Sequence, residues 1–352
     1  MAEANATILI PDISGFTEFM TTTELSHASH AIHILIDAIL KAVGEEYEVS
    51  EIEGDAVLLI KKGPAPPIKE ILGICLKIFN SFHFQRKWMQ QYTICPCGAC
   101  KAISNLTLKF VVHHGTLAEI KVGNFLMHSG PEMIIAHRLL KNSIAKHEYL
   151  LMTEKLLQQV TDLTETVEME WVSSSEEYAS IGKVDYRFAL LDKAKINAPE
   201  PPTPPTYYHT DDTSYMEIPI ADDFLNSYMV MMNIPGRAQW MPNLLRVDQD
   251  MPDPFIGSIH HCTFEDHQSI ISPLQMISSD EEIIYAESCE IKEMNFSLVY
   301  EFIFKKTGDN TCSVASRFMN AGESLLSQRE NIFLSNNMKQ TIERFKEFCE
   351  KK

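Results

Sequence analysis

The sequence predicts a protein of mixed α+β class with two domains, and three observations support this. Before residue 196, apolar runs of strand length alternate with apolar residues at helical spacing. After residue 207, a series of strand patterns is closed by one C-terminal helix. Between these regions, 197–206 contains five prolines, which exclude a helix or a central strand. We therefore predict a first domain over 1–195, an extended linker over 196–207 and a second domain over 208–352.

The first domain is predicted to begin with a buried strand, because Ala6–Ile10 is an apolar run. Helical spacing of apolar residues predicts one helix from Ile32 to Val43 and another from Ile68 to Phe79. Between them, two strands joined by a turn are predicted from Glu48 to Ile60. The remaining predictions are strands at Leu106–Val112, Leu117–Val122, Tyr149–Met152 and about 178–191, and a helix at Pro131–Lys141. This order, close to βαββαβ, predicts a sandwich with its helices on one face of the sheet.

The second domain is predicted to be mostly β-structure. A strand at 215–220 and a helix at 222–232 come first, and a long amphipathic helix ends the chain. Between them, strands are predicted at about 244–249, 256–264, 268–277, 282–290, 295–306 and 311–319. Strands that curl around one long helix would enclose an apolar cavity. Five apolar residues are candidates to line it, although we expect most of them to be ordinary core: Met229, Met231, Met232, Trp240 and Phe255.

The composition excludes several function classes. A net charge of −18 argues against a general nucleic-acid binder or a polybasic membrane surface, because both need clustered Lys and Arg. The sequence shows no secretory signal and no apolar stretch near the ~20 residues that span a membrane. Eight cysteines, scattered except for one cluster, do not form a disulfide framework in a chain of this size. We expect a reduced, cytoplasmic setting without membrane insertion.

Two carboxylates carry the clearest chemical signal. Asp12 follows the first buried strand, and Gly15 then allows a tight turn whose amides suit phosphates. Asp55 lies at the turn between the next two predicted strands. Carboxylates on adjacent strands form a hard-oxygen site, for which Mg²⁺ or Mn²⁺ with a nucleoside triphosphate is the natural occupant. The simpler interpretation, a strand-end residue and an ordinary hairpin residue, stays open.

At these residues the chain resembles the class III nucleotidyl cyclases, the adenylate and guanylate cyclases. The resemblance covers about 5–192 and consists of four motifs in order. These are Asp12-Ile-Ser-Gly-Phe-Thr17, Gly54-Asp55, His113-His-Gly115 as a turn after a strand, and Gly130 followed by Ala136-His-Arg138. The resemblance implies a ferredoxin-like α/β sandwich for the first domain.

The same resemblance implies roles for individual residues. Asp12 and Asp55 would bind two metal ions with help from the Ile13 carbonyl, and Arg138 would steady phosphate charge. The other residues implied to contact the nucleotide are Gly15, Phe16, Thr17, Glu51 and Met127. Glu51 stands at the base-selecting position and suits guanine, because a carboxylate accepts from guanine N–H groups. A homodimer is implied, in which one subunit supplies the metals and the other supplies Arg138. For Arg138, an exposed helix face is the open alternative.

The sequence also departs from the cyclase pattern. Ile134 stands where the family has an asparagine, and Met127 offers no strong hydrogen bond to a base. A lysine for the triphosphate is not aligned, although Lys183 is near the expected place. Two functions therefore stay open. One is a cyclase that converts GTP or ATP to a cyclic nucleotide, and the other is a degenerate domain that binds nucleotide or only dimerises.

A cysteine cluster, Cys95-Pro-Cys97-Gly-Ala-Cys100, is a candidate Zn²⁺ site. The pair His113-His114 could supply a fourth ligand, while a redox-active thiol loop or no special role are the alternatives. The histidines at 27, 30 and 33 drift around their helix, so we expect a solvated helix start there. We expect His260-His261-Cys262 to be ordinary strand content, since neighbours in a strand point to opposite faces.

The second domain resembles START-like domains of the polyketide-cyclase, helix-grip type. The resemblance rests on element order and on the segment Ile234-Pro-Gly-Arg-Ala-Gln-Trp-Met-Pro242. It implies that a hydrophobic small molecule or lipid binds between the sheet and the terminal helix and regulates the first domain. The sequence leaves the identity of this ligand open.

Overall fold

The computed structural model describes residues 2–23, 25–123, 125–160, 169–205, 216–249, 254–291, 296–321 and 326–351. The chain forms two compact units, 1–90 with 97–202 and 91–96 with 203–352. Both units combine helices and strands, which confirms the mixed α+β class. Residues 206–207 of the expected linker, the expected domain start at 208, and residues 215 and 295 of two expected strands lie outside the described residues. No helix among the described residues is long and apolar enough to cross a membrane.

The first unit is a sheet with short and long helices between its strands. Its strands run in the order β2-β3-β1-β4-β6-β8-β7, and β5 pairs with β4. All neighbours are antiparallel except β4 and β6. The elements are β1 (Ala2–Ser14), α1 (Phe16–Thr22), α2 (Leu25–Val43), β2 (Glu48–Glu53), β3 (Ala56–Lys62), α3 (Ile68–Tyr92), α4 (Gly98–Ala102), β4 (Thr107–Val122), β5 (Phe125–Ser129), α5 (Pro131–Leu139), β6 (Tyr149–Thr153), α6 (Glu154–Leu157), β7 (Trp171–Tyr178), β8 (Gly182–Leu190) and α7 (Asp192–Ile196). A 3₁₀ helix, Ile103–Asn105, follows α4.

The sheet of the first unit is buried on both faces. Ile8 and Ile10 of β1 pack in one cluster with Met133 and Ala136 of α5. Leu9, which points to the opposite face, is also fully buried. The expectation that helices cover one face only is therefore wrong. A strand whose successive side chains are all buried has the nearly continuous apolar sequence seen at Ala6–Ile10.

The central strand β4 is longer than the sequence predicted. The two expected strands and the expected turn at Gly115 form one strand, because β1 pairs with it from Ser14–Thr107 to Ala2–Glu119. Glycine is needed at position 115 because the Glu132 side chain occupies the space that a larger residue would need. A Cβ at this position would lie 2.5 Å from Cγ of Glu132. The Glu132 carboxylate forms a hydrogen bond with His113 Nε2 at 2.6 Å, and it also accepts a hydrogen bond from the Lys155 ammonium group.

Gly115→Ala is expected to destabilise the first unit by about 1–3 kcal/mol, because the new methyl displaces Glu132 from its partners. Urea unfolding of the variant measures this. Gly73→Ala is the matched control, since Gly73 lies in α3 with nothing within 4 Å of its Cβ position. That change should stabilise the helix by up to ~1 kcal/mol. Equal effects of the two substitutions would contradict the packing role of Gly115.

Over its described residues, the second unit is a seven-stranded antiparallel sheet with two α-helices. The strand order is β10-β11-β12-β13-β14-β15-β9. The elements are β9 (Met216–Ile220), α8 (Phe224–Met232), a 3₁₀ helix (Pro235–Gln239), β10 (Leu244–Gln249), β11 (His260–Phe264), β12 (Gln268–Ser278), β13 (Glu282–Ile291), β14 (Phe296–Gly308), β15 (Thr311–Asn320) and α9 (Gln328–Cys349). The rings of Trp240 and Phe304 pack edge-on against Phe345 of α9, which ties this helix to the rest of the unit.

An ion pair is buried inside this second unit. Arg237 donates to both carboxylate oxygens of Glu287, at 2.7 and 2.8 Å, and to the Met231 carbonyl at 2.9 Å. Tyr285 also donates to Glu287 at 2.7 Å. Arg237 is 0% exposed and Glu287 2% exposed. Although burial alone lowers it, the Glu287 carboxylate raises the pKa of Arg237 above its ordinary value.

Candidate functional site

The first carboxylate of the candidate site lies near the end of β1. Asp12 is 8% exposed and faces Lys109 directly across the pairing of β1 with β4. Ser14 is on the same side of the strand, and its Oγ is buried without a hydrogen-bond partner among the described residues. The chain then turns at Gly15, whose φ of 90° favours glycine, and α1 begins.

The second carboxylate lies beside the first because the β2–β3 turn folds over the end of β1. The Ile13 amide donates to the Asp55 carbonyl at 3.1 Å, and Asp12 pairs with Ala56 in the sheet. Gly54 has a φ of 63°, and its Cβ position lies 3.7 Å from the Phe16 ring. The structure therefore brings Asp12 and Asp55 together, next to the turn at Gly15.

Burial makes both carboxyl groups weaker acids than usual, and for Asp12 the charge of Asp55 adds to this effect. The pKa of Asp12 is raised to about 6, because burial and, to a smaller extent, the charge of Asp55 outweigh the lowering effect of Lys109. Burial also raises the pKa of Asp55, against the effect of Lys109. The Nζ of Lys109 lies 3.4 Å from Asp12 Oδ1 and donates to the Leu140 carbonyl at 3.1 Å. The folded chain thus holds two carboxylates in a place where their charge is unfavourable without a nearby cation.

This donor set fits a divalent cation of the Mg²⁺ or Mn²⁺ type. Such ions bind oxygen, and the carboxylates of Asp12 and Asp55, with the unsatisfied Ser14 hydroxyl beside them, are all oxygen donors. Lys109 supplies part of the positive charge that the pair needs. It was missed at the sequence level because nothing in the sequence reveals that β4 places it opposite Asp12.

The expected base-reading residues lie on two strands that approach each other. Ser50 of β2 and His128 of β5 are joined by a hydrogen bond of 2.9 Å. Glu51 and Met127 each neighbour one member of this pair, and both are exposed. The structure therefore brings these two strands together, while the role of either side chain in reading a base stays a prediction.

The other residues of the cyclase pattern lie on α5 and β8. Arg138 is exposed in the last turn of α5. Burial raises the pKa of the neighbouring Tyr178, and the charge of Arg138 opposes this shift. Ile134, one turn earlier, is 53% exposed. Lys183 is exposed and pairs with Asp185 at 2.6 Å. None of the described contacts of Arg138 or Lys183 is with Asp12 or Asp55.

His113 and His114 do not lie with the cysteines, so the expectation that they supply a fourth zinc ligand is wrong. His113 binds Glu132 and also Thr153 Oγ1 at 2.7 Å, and His114 binds Thr7 Oγ1 at 2.9 Å. Burial lowers the pKa of His113, although Glu132 opposes this. The neutral ring therefore donates from Nε2 to Glu132 and accepts from Thr153 at Nδ1.

The histidine that does lie with the cysteines is His27 of α2. Its ligand atom and those of Cys95, Cys97 and Cys100 all lie within 4.8 Å of one another. The expectation of a merely solvated helix start is therefore wrong for His27. The sequence carried no signal for this contact, because 68 to 73 residues separate the histidine from the cysteines.

The second unit contains a cavity of about 690 Å³ between the sheet and α9. Apolar residues from both sides line it, including Phe264, Ile271, Phe302, Leu334 and Met338. The five apolar residues proposed from the sequence do not line this cavity. Of these, Met231, Met232 and Trp240 are buried as ordinary core, in agreement with the expectation for most of them.

Comparisons with known proteins identify relatives of parts of the chain. A family model described as "Protein of unknown function (DUF2652)" matches residues 32–149. The "Uncharacterized protein Rv2561/Rv2562" of Mycobacterium tuberculosis is 27% identical over 168 residues, which are 47% of this chain and 74% of that protein. Solved structures similar to the N-terminal half include adenylyl and guanylyl cyclase domains.

Two of these solved structures illustrate the degree of similarity. The guanylyl cyclase Cya2 is 12% identical to this chain and has a TM-score of 0.39. The match covers 53% of this chain and 92% of the Cya2 chain. The adenylyl cyclase CyaB from P. aeruginosa is 14% identical, covers 54% and 95%, and has a TM-score of 0.36.

Proposed function

We propose that the first unit is a metal-dependent nucleotidyl cyclase that converts a purine nucleoside triphosphate to a cyclic nucleotide. The observation that carries this proposal is the convergence of the buried Asp12 with Asp55 beside the Gly15 turn. Asp12 and Asp55 would hold Mg²⁺ or Mn²⁺, which neutralises phosphate charge and lowers the pKa of the attacking hydroxyl.

The chain's own groups hold the substrate in this proposal. The turn at Gly15 presents backbone amides to the phosphates, and Phe16 keeps Gly54 against that turn. The ribose 3′-oxygen forms a bond to the α-phosphorus, the bond to the β-phosphate oxygen breaks, and pyrophosphate leaves. The hydroxyl proton passes to solvent. Glu51 favours guanine over adenine, since its carboxylate accepts from the guanine N–H groups.

A second copy of the chain completes this site in the proposal. Five apolar side chains on β2, β5 and α5 are each 44–53% exposed: Val49, Ile52, Leu126, Met127 and Ile134. Exposed apolar residues on neighbouring elements favour an interface. A homodimer through this surface would bring Arg138 of the partner subunit to the phosphates.

A degenerate nucleotide-binding module is the second candidate function. Ile134 and Met127 favour it, because exposed apolar side chains stand where the cyclase pattern has hydrogen-bonding groups. Incubating the full chain with Mn²⁺ and each of four nucleoside triphosphates distinguishes the two candidates. A cyclic purine nucleotide and pyrophosphate in equal amounts are expected for the cyclase. Metal-dependent binding without any product would instead establish the module.

For the second unit, we propose binding of a hydrophobic small molecule or lipid that regulates the first. The cavity of about 690 Å³ is within the range of ligand pockets. Leu334→Trp should fill it and weaken binding of a fluorescent fatty-acid analogue at least ~10-fold, whereas Ile332→Trp is the control on an exposed face of α9. If both variants bind the fatty-acid analogue equally well, the cavity is not its binding site.

A further inference from the structure

Four potential ligands for a soft or borderline metal lie together, separate from the Asp12–Asp55 pair. They are His27 of α2 and the thiols of Cys95, Cys97 and Cys100, with all ligand atoms within 4.8 Å of one another. Tetrahedral zinc has Zn–S distances near 2.3 Å and Zn–N distances near 2.0 Å, which place its ligand atoms about 3.5–3.8 Å apart. Small side-chain rotations would bring these four atoms to that spacing.

Three of these ligands belong to the first unit and are already in contact there. Cys97 Sγ lies 3.2 Å from His27 Nδ1 and accepts a hydrogen bond from the Cys100 amide at 3.5 Å. The sulfur of Cys97 is therefore held between His27 and the first turn of α4. The helix that carries Cys100, α4, packs on both α1 and α2. Cys95 precedes Cys97 by two residues and completes the set.

We infer that His27, Cys95, Cys97 and Cys100 bind one Zn²⁺ ion as a structural site. Three sulfur ligands and one imidazole select zinc over Mg²⁺ or Mn²⁺, which prefer oxygen. Four protein ligands leave no open position for a substrate, as in structural rather than catalytic zinc sites. Cys95 and Cys97 are 8% and 5% exposed, so a cation offsets the cost of burying their thiolates.

A disulfide explains this arrangement of four side chains less completely than a zinc ion does. Oxidation would join two thiols and leave the third, and it gives no reason for His27 to contact Cys97. A single zinc ion uses all four groups at once. The sequence spacing also agrees, because Gly98 follows Cys97 and allows the chain to bend around an ion.

Zinc at this place would support the neighbouring turn of the Asp12–Asp55 site. The 3₁₀ helix that follows α4 ends at Asn105, whose carbonyl lies 3.4 Å from the Cβ position of Gly15. Loss of the ion would loosen this segment, so we expect weaker nucleotide binding. This consequence, unlike the metal site itself, rests on the proposed function.

Metal analysis of the full chain, purified without chelator, tests the inference. We expect about one zinc per chain, falling to near none in Cys97→Ser, Cys100→Ser and His27→Ala. Two variants should keep the metal. Cys312→Ser changes a buried thiol bonded to Ser227 in the other unit, and His33→Ala changes an exposed histidine on the same helix as His27.

Cobalt substitution gives a second measurement that does not depend on the folding of any variant. Wild-type protein loaded with Co²⁺ should show thiolate charge-transfer bands and the intense d–d bands of tetrahedral coordination. A folded wild-type chain that binds neither zinc nor cobalt would overturn the site. Zinc retained by both His27→Ala and Cys97→Ser would also overturn it. Either result leaves the nucleotide assay, and hence the cyclase proposal, unaffected.

Discussion

Asp12→Asn is expected to abolish metal-dependent nucleotide turnover while making the protein without nucleotide more stable. Losing one of two carboxylates that bind the cation should lower the rate at least ~100-fold, the usual scale for removing a charge-stabilising group. Asp55→Asn should have a similar effect on turnover. The gain in stability is the more diagnostic part, because a residue kept only for folding would lower stability when it is changed.

The sign of the stability effect follows from the pKa. Burial raises the pKa of Asp12 to about 6, whereas an unfolded aspartate has a pKa of about 3.9. Between these values the folded chain holds a proton that the unfolded chain has lost, so stability falls as pH rises through this window. Above pH ~6 the folded carboxylate costs up to about 3 kcal/mol, with Lys109 offsetting part of the burial cost. Asparagine carries no charge and avoids this cost.

Two measurements check this prediction. Product assays with Mn²⁺ and GTP or ATP report turnover, and urea unfolding at about pH 4 and about pH 7.5 reports stability. The variant should gain stability over wild type at the higher pH and much less at the lower one. Asp185→Asn is the control, because Asp185 is exposed and pairs only with Lys183 in its described ion pairs. Normal product formation by the Asp12→Asn protein would contradict the proposed metal site.

The sequence predicted those parts of the site that are carried by local pattern. A strand followed by Asp12 and Gly15 is visible in the sequence, because turn chemistry and apolar runs are local properties. The mixed α+β class followed from the same patterns. The continuous strand β4 was not predictable, because Gly115 suggests a break unless the position of Glu132 is known.

The residues that were missed depend on contacts between distant parts of the chain. Lys109 reaches Asp12 through the register of β1 with β4, a separation of 97 residues. His27 reaches Cys97 through the packing of α4 on α2. Neither contact can be recognised from the types of the residues or from their spacing in the sequence. For the same reason His113 and His114, which are close to the cysteines in sequence, were wrongly expected to bind with them.

The buried Arg237–Glu287 ion pair leads to the largest expected loss of stability. Arg237→Met should destabilise this unit by about 3–5 kcal/mol, because Glu287 would remain buried as a carboxylate with only Tyr285 as a described partner. The Met231 carbonyl would also lose its donor. Arg246→Met is the matched control, since Arg246 is 70% exposed beside Asp248 and should cost less than ~1 kcal/mol.

Trp240 gives a signal that reports this unit alone. The three tryptophans of the chain are Trp88, Trp171 and Trp240, and only Trp240 belongs to the second unit. Changing the other two to Phe leaves one fluorophore, which packs on Phe345 of α9 with the ring centroids 5.0 Å apart. Its fluorescence during urea unfolding should then move to a lower midpoint in Arg237→Met and hardly change in Arg246→Met.

The double variant Arg237→Met with Glu287→Met separates two explanations of this loss. If an unpaired buried charge causes it, removing the carboxylate as well should restore most of the stability, because apolar side chains of similar volume often replace buried pairs at little cost. If packing or the Met231 and Tyr285 hydrogen bonds cause it, the double variant should be at least as unstable as the single one. The coupling energy between the two sites distinguishes these outcomes. We expect recovery of more than half of the loss, since Glu287 is 2% exposed and water cannot solvate it.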